Sequence, residues 1–334
     1  MKDIHHSTRR HWLGQAGAAG LLLAGALPLQ AAEPWPTKPV KIIVPFNAGG
    51  ATDTVARVIG EKLSSRLGQP VLIDNRGGAA GILGTDAVAK AAPDGYTLVL
   101  SLSTSLLINQ FLYTKMPYNA QRDLALVSLI ANAPTVLVVN AGLPVSNGAE
   151  LMAYMAKNKG KLSYGSWGVG SQAHLAGAYM SQAQDADMSH VAYKGEAPMV
   201  QDMLAGNIAW AIGSVTTLGP QIKSGRLRAL AVMGDNRIKE MPDVPTMTEA
   251  GMKDQEMRPP AWIGLFARSG TPAAILSRVE AEARASIQSS AMRARLDSLA
   301  LEPVGNSPEE FRRSFETAEP IMARLIKSSG ATAE

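Results

Sequence analysis

The sequence predicts an α/β protein of two similar lobes, each a mainly parallel sheet flanked by helices, with a ligand cleft between them. Three observations carry this. Short runs rich in β-branched residues alternate with stretches whose apolar residues recur every three or four positions, the pattern of strands covered by helices. The same order of strand, glycine turn and helix recurs in the second half of the chain. No low-complexity tract or long linker separates the halves, so short crossovers must couple them as a hinge.

The N-terminal stretch stands apart. Arg9 and Arg10 precede an uncharged run rich in Leu, Ala and Gly from Leu13 to Leu29, and the small residues Ala31 and Ala32 follow. Basic, apolar and small-residue regions in that order predict an export signal over residues 1–32, cleaved near Ala31 or Ala32, and the arginine pair before Trp12 resembles a twin-arginine leader. Gly14, Gly17, Gly20, Gly25 and Pro28 make the run a poor membrane span. Export without cysteine predicts a periplasmic protein.

From Val40 to Phe46 the composition is that of a strand. Asn47-Ala48-Gly49-Gly50 turns it into a helix with Ala56, Ile59, Leu63 and Leu67 on one face and Gly68 as its stop. Val71 to Asp74 is the next strand, Gly77 to Gly84 a glycine-rich turn into a short helix, and Pro93-Asp94-Gly95 a turn into a strand from Thr97 to Leu102. A second cycle has a strand at Val136 to Val139, a helix around Ala149 to Lys157 and a strand near Leu162 to Tyr164. A helix from Ser171 follows, with strands at Val191 to Tyr193, Ile208 to Ile212 and Leu227 to Met233. Trp262 to Ala267 reads as a strand crossing back to the first lobe, followed by two helices broken at Ser289-Ser290. The first lobe is therefore expected over 33–135 and 258–334, and the second over 136–257.

Composition narrows the chemistry. The 334 residues include no cysteine, carry a formal charge of +4 and are 5% aromatic. Disulfides, thiolate metal sites and a thiol nucleophile are excluded, and a weak, dispersed charge with few aromatics does not describe a nucleic-acid binder. Three of the five histidines lie in the leader, leaving His174 and His190, too few for a histidine-rich metal site. No metal or cofactor is expected.

Gly49-Gly50 sits between strand and helix, where free amides and the helix dipole favour an anion, and it lacks the Gly-Lys-Ser/Thr ending of a nucleotide-binding loop. Asp53 reads either as a carboxylate complementing the helix dipole or as an acceptor that orders ligand or water. The second turn, Gly165 to Ser171, again joins strand to helix. Gly168-x-Gly170-x-x-Ala173 matches a dinucleotide fingerprint by letter, but Val191-Ala192-Tyr193-Lys194 ends the next strand without the acidic residue that fingerprint needs. Ser171 and His174 form the rival pair of an exported hydrolase, although no Gly-x-Ser-x-Gly elbow surrounds the serine. A bulky residue at Gly170 is expected to block ligand approach and leave the fold intact.

Several strings together extend the reading. Lys38-Pro-Val-Lys-Ile-Ile-Val-Pro-Phe-Asn-Ala-Gly-Gly-Ala-Thr-Asp53, Asn75-Arg-Gly-Gly-Ala-Ala-Gly-Ile-Leu-Gly84 and Pro93-Asp-Gly-Tyr-Thr-Leu98 occur in order in the first half. Gly168-Val-Gly-Ser-Gln-Ala-His174, His190-Val-Ala-Tyr-Lys-Gly195, Gly225-Arg-Leu-Arg-Ala-Leu-Ala-Val232 and Met241-Pro-Asp-Val-Pro-Thr246 follow. This ordered set resembles the Bug (TctC-type) substrate-binding proteins of tripartite tricarboxylate transporters over nearly the whole chain after the leader. The resemblance implies a periplasmic-binding-protein-like fold and no catalytic activity. It further implies that a small organic mono- or dicarboxylate is captured for uptake through a membrane permease or for sensing, by a protein expected to be a monomer. It places ligand contacts at Phe46, Asn47, Gly49, Gly50 and Asp53, at Ser103 and Thr104, and at Ser166, Gly170, Ser171 and His174. Two glycine turns, one per lobe, would then offer two anion sockets without a Lys or Arg.

Overall fold

The computed structural model describes residues 35–333, so the leader lies outside the described residues. In chain order the first lobe has β1 (Val40–Val44), α1 (Ala51–Leu67), β2 (Val71–Asn75), α2 (Ile82–Ala89), β3 (Thr97–Leu102), α3 (Asn109–Leu112), α4 (Ala120–Asp123) and β4 (Leu124–Asn132). The second has β5 (Thr135–Asn140), α5 (Gly148–Lys157), β6 (Ser163–Ser166), α6 (Gln172–Ala183), β7 (Ser189–Ala192), α7 (Glu196–Ala205), β8 (Trp210–Ser214), α8 (Val215–Lys223) and β9 (Leu227–Met233). The chain then returns through β10 (Trp262–Arg268), α9 (Ala273–Ile287), α10 (Ser290–Ser298), β11 (Glu302–Pro303) and α11 (Pro308–Ser329).

The strands form two sheets, in the orders β11-β4-β10-β3-β1-β2 and β7-β6-β8-β5-β9. The two α/β lobes are as predicted, but their sheets are mixed instead of mainly parallel. In the first, β1 runs parallel to β2 and β3, while β10 is antiparallel to both β3 and β4. In the second, β6 runs parallel to β7 and β8, while β5 is antiparallel to β8 and β9. The cause is topological. Strands β3 and β4 both lead into cleft-lining residues, Ser103 and Ala133, so a strand bringing the chain back from the other lobe must start at that edge and run the other way. Strand β10 does this in the middle of the first sheet, and β5 does it in the second. The two crossings lie side by side, with Ala133 N–H donating to Ala261 O at 2.9 Å.

Helix α1 forms where the sequence places it. Val55, Ala56, Ile59, Leu63 and Leu67 are buried at helical spacing, packed with Val40, Ile42 and Val44 of β1, and each large apolar side chain contributes about 1.5–3 kcal/mol. Gly68, at φ 71°, ends the helix and donates its N–H to Ser64 O. The sequence reading had no counterpart for α11. That helix buries Phe311, Phe315, Met322 and Leu325 and packs on both β4 and α6, tying the lobes together behind the hinge.

Candidate functional site

Between the lobes lies a cleft of about 450 Å³. The first lobe lines it with Gly49, Ala51, Thr54, Ser103 and Thr104, and the second with Trp167, Glu196, Ser214, Thr216 and Thr217. Ala133, Pro134, Thr135, Gln172 and Ala261, at or beside the two crossings, also line it. Two other depressions of similar size lie against α11 and beside the histidine pair. The interlobe cleft is the one that the ends of β3 and β8 and the start of α1 all reach.

The first-lobe wall is built around the start of α1. Gly49 takes φ 87°, a conformation that favours glycine, and Gly50 is an extended N-cap (φ −77°, ψ 172°) with no side chain to cap the helix. The first-turn amides have no intrahelical acceptor. Asp53 does not fill that gap: it is buried and reaches back past the N-cap to accept from Gly49 N–H at 2.8 Å. Its carboxylate also accepts from Arg57 at 3.0 Å and from Asn75 Nδ2 at 3.1 Å. Burial pushes its pKa up, but Arg57, Gly49 and Asn75 together outweigh that and hold it below the usual carboxylate range. Asp53 therefore shapes the turn from behind.

Facing this terminus, Ser103 and Thr104 open a π-helical turn from Thr104 to Ile108 that follows β3. Neither hydroxyl has a hydrogen-bond partner among the described residues. Phe46 is half-buried against the first-lobe core and Asn47 is exposed; neither lines the cleft, nor do Gly50 and Asp53.

The second-lobe turn is satisfied internally. Ser171 caps α6 by accepting from His174 N–H at 3.2 Å, and Gly170 N–H donates to His174 Nδ1 at 3.0 Å. The Ser166 hydroxyl donates to Gly168 O at 3.0 Å, which leaves it to accept from His190 Nε2 at 2.7 Å. Ser166, Gly170, Ser171 and His174 are buried away from the cleft wall, where Trp167 is the turn's contribution. The His174 ring nitrogen that could act as a base is bonded to a backbone amide instead of to Ser171. The same bond uses the Gly170 amide that a dinucleotide phosphate or a carboxylate would need. A Cβ at Gly170, where φ is 75°, would overlap the side chain of Leu112 in the first lobe, so a bulky residue there disturbs the packing between lobes. That corrects the expectation of an intact fold.

His174 and His190 stack at 3.8 Å between ring centroids, and Tyr164 and Trp210 continue the stack behind His190. Burial lowers the His174 pKa; burial and the neighbouring His174 lower that of His190 to about 4.

Sequence reasoning missed Glu196, which opens α7 and projects its carboxylate onto the start of α8. Ser214 donates to it twice, from N–H at 2.8 Å and from Oγ at 2.5 Å. The signal lay in two distant strings, Gly195-Glu196 and Ser214-Val-Thr-Thr217, whose proximity only the sheet order establishes.

Comparison with known proteins adds to this geometry. The model of the family described as "Tripartite tricarboxylate transporter family receptor" matches residues 55–330. Protein BugT of Bordetella pertussis (strain Tohama I) is 35% identical over 309 residues, 92% of this chain and 94% of BugT. The solved structure of periplasmic binding protein BugD is 31% identical, with a TM-score of 0.73 over 90% of this chain and 100% of that one. Rpa4515 of R. palustris, solved with adipate, is 32% identical, with a TM-score of 0.76 over 89% of this chain and 99% of that one.

Proposed function

We propose a ligand class and a binding mode for this chain, which belongs to the tripartite tricarboxylate transporter receptor (TctC) family. It is a solute-binding protein of the Bug type. In our reading its solute is a small organic carboxylate seated on the open end of α1. The observation that carries this is an uncapped helix N-terminus on the cleft wall, beside two hydroxyls with no protein partner among the described residues. Amides of the first turn and the hydroxyls of Ser103 and Thr104 give charge-assisted hydrogen bonds of about 1.5–3 kcal/mol each, and the helix dipole adds about 0.3–1 kcal/mol. The adipate held by the related Rpa4515 supports this choice of ligand.

Closure of the lobes about the paired crossings at Ala133 and Ala261 shields the carboxylate from water, and the loaded form is the one a permease or a sensor receives. The relation to periplasmic BugD supports export, with residues 1–32 as the removed leader. Among the described residues no helix is long and apolar enough to cross a membrane. We assign no catalysis to Ser171 and His174.

Calorimetry with acid and amide pairs, hexanoate with hexanamide and benzoate with benzamide, tests the reading. An acid should bind at least about 30-fold more tightly than its amide, roughly 2 kcal/mol. Equal affinities would contradict a carboxylate socket.

A further inference from the structure

Resting on the carboxylate socket just described, we propose that Glu196 determines specificity: it restricts the ligand to a monocarboxylate with an uncharged, largely apolar body, and rejects a second carboxylate. Among the described residues that line the cleft there is no Lys, Arg or His, and Glu196 carries the only formal charge. Both of its oxygens are held by Ser214, so the carboxylate is fixed on the second-lobe wall.

A second ligand carboxylate would need donors on that wall, where the Ser214 and Thr217 amides and the hydroxyls of Ser214, Thr216 and Thr217 are already bonded within the protein and Glu196 sits beside the remaining first-turn amides of Val215 and Thr216. The starts of α7 and α8 both line the cleft from the second lobe; α7 has no side-chain cap at Gly195, but its first residue is Glu196 itself, and Glu196 accepts the Ser214 amide of α8, as an incoming anion would. Ser214 Oγ also accepts from Thr217 N–H and so closes the cap. The Thr216 hydroxyl donates to Leu299 O at 3.0 Å, and Thr217 Oγ1 is bonded to Ser214 Oγ at 2.9 Å. At the start of α6, Gln172 reaches the cleft, but the Gly170 and His174 amides are bonded to His174 Nδ1 and Ser171 Oγ, and the Gln172 side chain is engaged by Thr135 and Pro259. A dicarboxylate anchored on α1 would therefore bring its far charge toward a fixed like charge, in a site partly shielded from water where that repulsion is strong.

The rest of the lining states what is accepted. Leu102, Ile108, Trp167, Val215 and Leu301 supply apolar surface in the cleft that the start of α1 and Glu196 share, suited to an aliphatic or aromatic body.

Chain-matched pairs test this by calorimetry on the exported protein: hexanoate with adipate, and benzoate with terephthalate. In the wild type the monocarboxylate of a pair should bind at least tenfold more tightly than its dicarboxylate. In Glu196→Gln, which keeps the side-chain length and an acceptor for Ser214 N–H, the dicarboxylate should gain at least tenfold and the monocarboxylate change by less than about threefold. A wild type that binds adipate or terephthalate as tightly as its partner overturns the proposal, and so does a Glu196→Gln variant with an unchanged ratio. The wild-type ratio decides the matter if the variant does not fold. Preference for dicarboxylates with acids still bound above amides refutes this inference alone, whereas acids bound no better than amides refutes the socket as well.

Discussion

Asp53 holds Gly49, Arg57 and Asn75 at once, so one buried carboxylate sets the shape of the α1 entrance without lining the cleft. Asp53→Asn keeps the size but replaces one acceptor oxygen with a donor that faces other donors. Urea unfolding should show a loss of about 1–3 kcal/mol, the cost of leaving buried donors unpaired; unchanged stability would mean the contacts contribute nothing. In the sequence Asp53 admitted both a structural and a ligand-facing reading, because a carboxylate three residues into a helix suits either. Its distant partner, Asn75 at the end of β2, decides in favour of the first. Glu196 was illegible for the opposite reason. An acidic residue opening a helix has an ordinary explanation in the helix dipole, and only the placement of β8 beside β6 brings Ser214 to it.

At the scale of elements, the helix ends differ in a way that matters for binding. Helices α5, α6, α8, α10 and α11 start under a side-chain cap from Asn147, Ser171, Ser214, Ser289 and Ser307. Helices α1, α2, α3, α7 and α9 start without one, and of these α1 and α7 line the cleft, α7 through the negatively charged Glu196. This contrast was half legible: Gly49-Gly50 announced an open turn, but Gly168 and Gly170 announced a second one, and His174 closes that turn through a ring nitrogen that no spacing rule anticipates.

The ring stack across β8, β6, β7 and α6 carries a pH dependence. Both imidazoles are shifted below the ordinary value of 6.5, His190 to about 4, so the folded protein binds fewer protons than the unfolded chain between those values. Their contribution is complete above pH 6.5 and is lost as pH falls toward 4, by up to about 1.4 kcal/mol per pH unit for each proton taken up. A protonated His174 Nδ1 would also point a proton at Gly170 N–H. Stability measured in urea should fall from pH 6.5 to 4.5 in the wild type and stay flatter in His174→Gln/His190→Gln. The same slope in both would remove the stack from the explanation.

For the whole molecule, the hinge and the mixed sheets have a common origin. The chain crosses between lobes twice, at Ala133 and Ala261, and each crossing reverses a strand direction. Hydrophobic runs identify strands but carry no direction, so the sequence foretold two lobes and the returning strand at Trp262 without foretelling that it runs antiparallel. The strut α11 went unread because its apolar residues serve both lobes at once. What the assembled molecule does with these parts is to bring the uncapped start of α1, two hydroxyls without a partner among the described residues and one tethered carboxylate around a single cleft.

The claim that binding rests on the open end of α1 can be separated from folding by one substitution. A Cβ at Gly50 meets nothing closer than Asn47 O at 3.7 Å, and the residue already has the extended backbone of an N-cap. Gly50→Asp would cap the helix with its own carboxylate, adding a few tenths of a kcal/mol or more of stability, while filling the socket and repelling an anion. Calorimetry with the tightest-binding carboxylate, alongside thermal unfolding, should show a melting temperature equal to or above the wild type and affinity reduced at least 30-fold, with Gly50→Ala close to wild type in binding. Wild-type affinity in a folded Gly50→Asp protein would contradict the account.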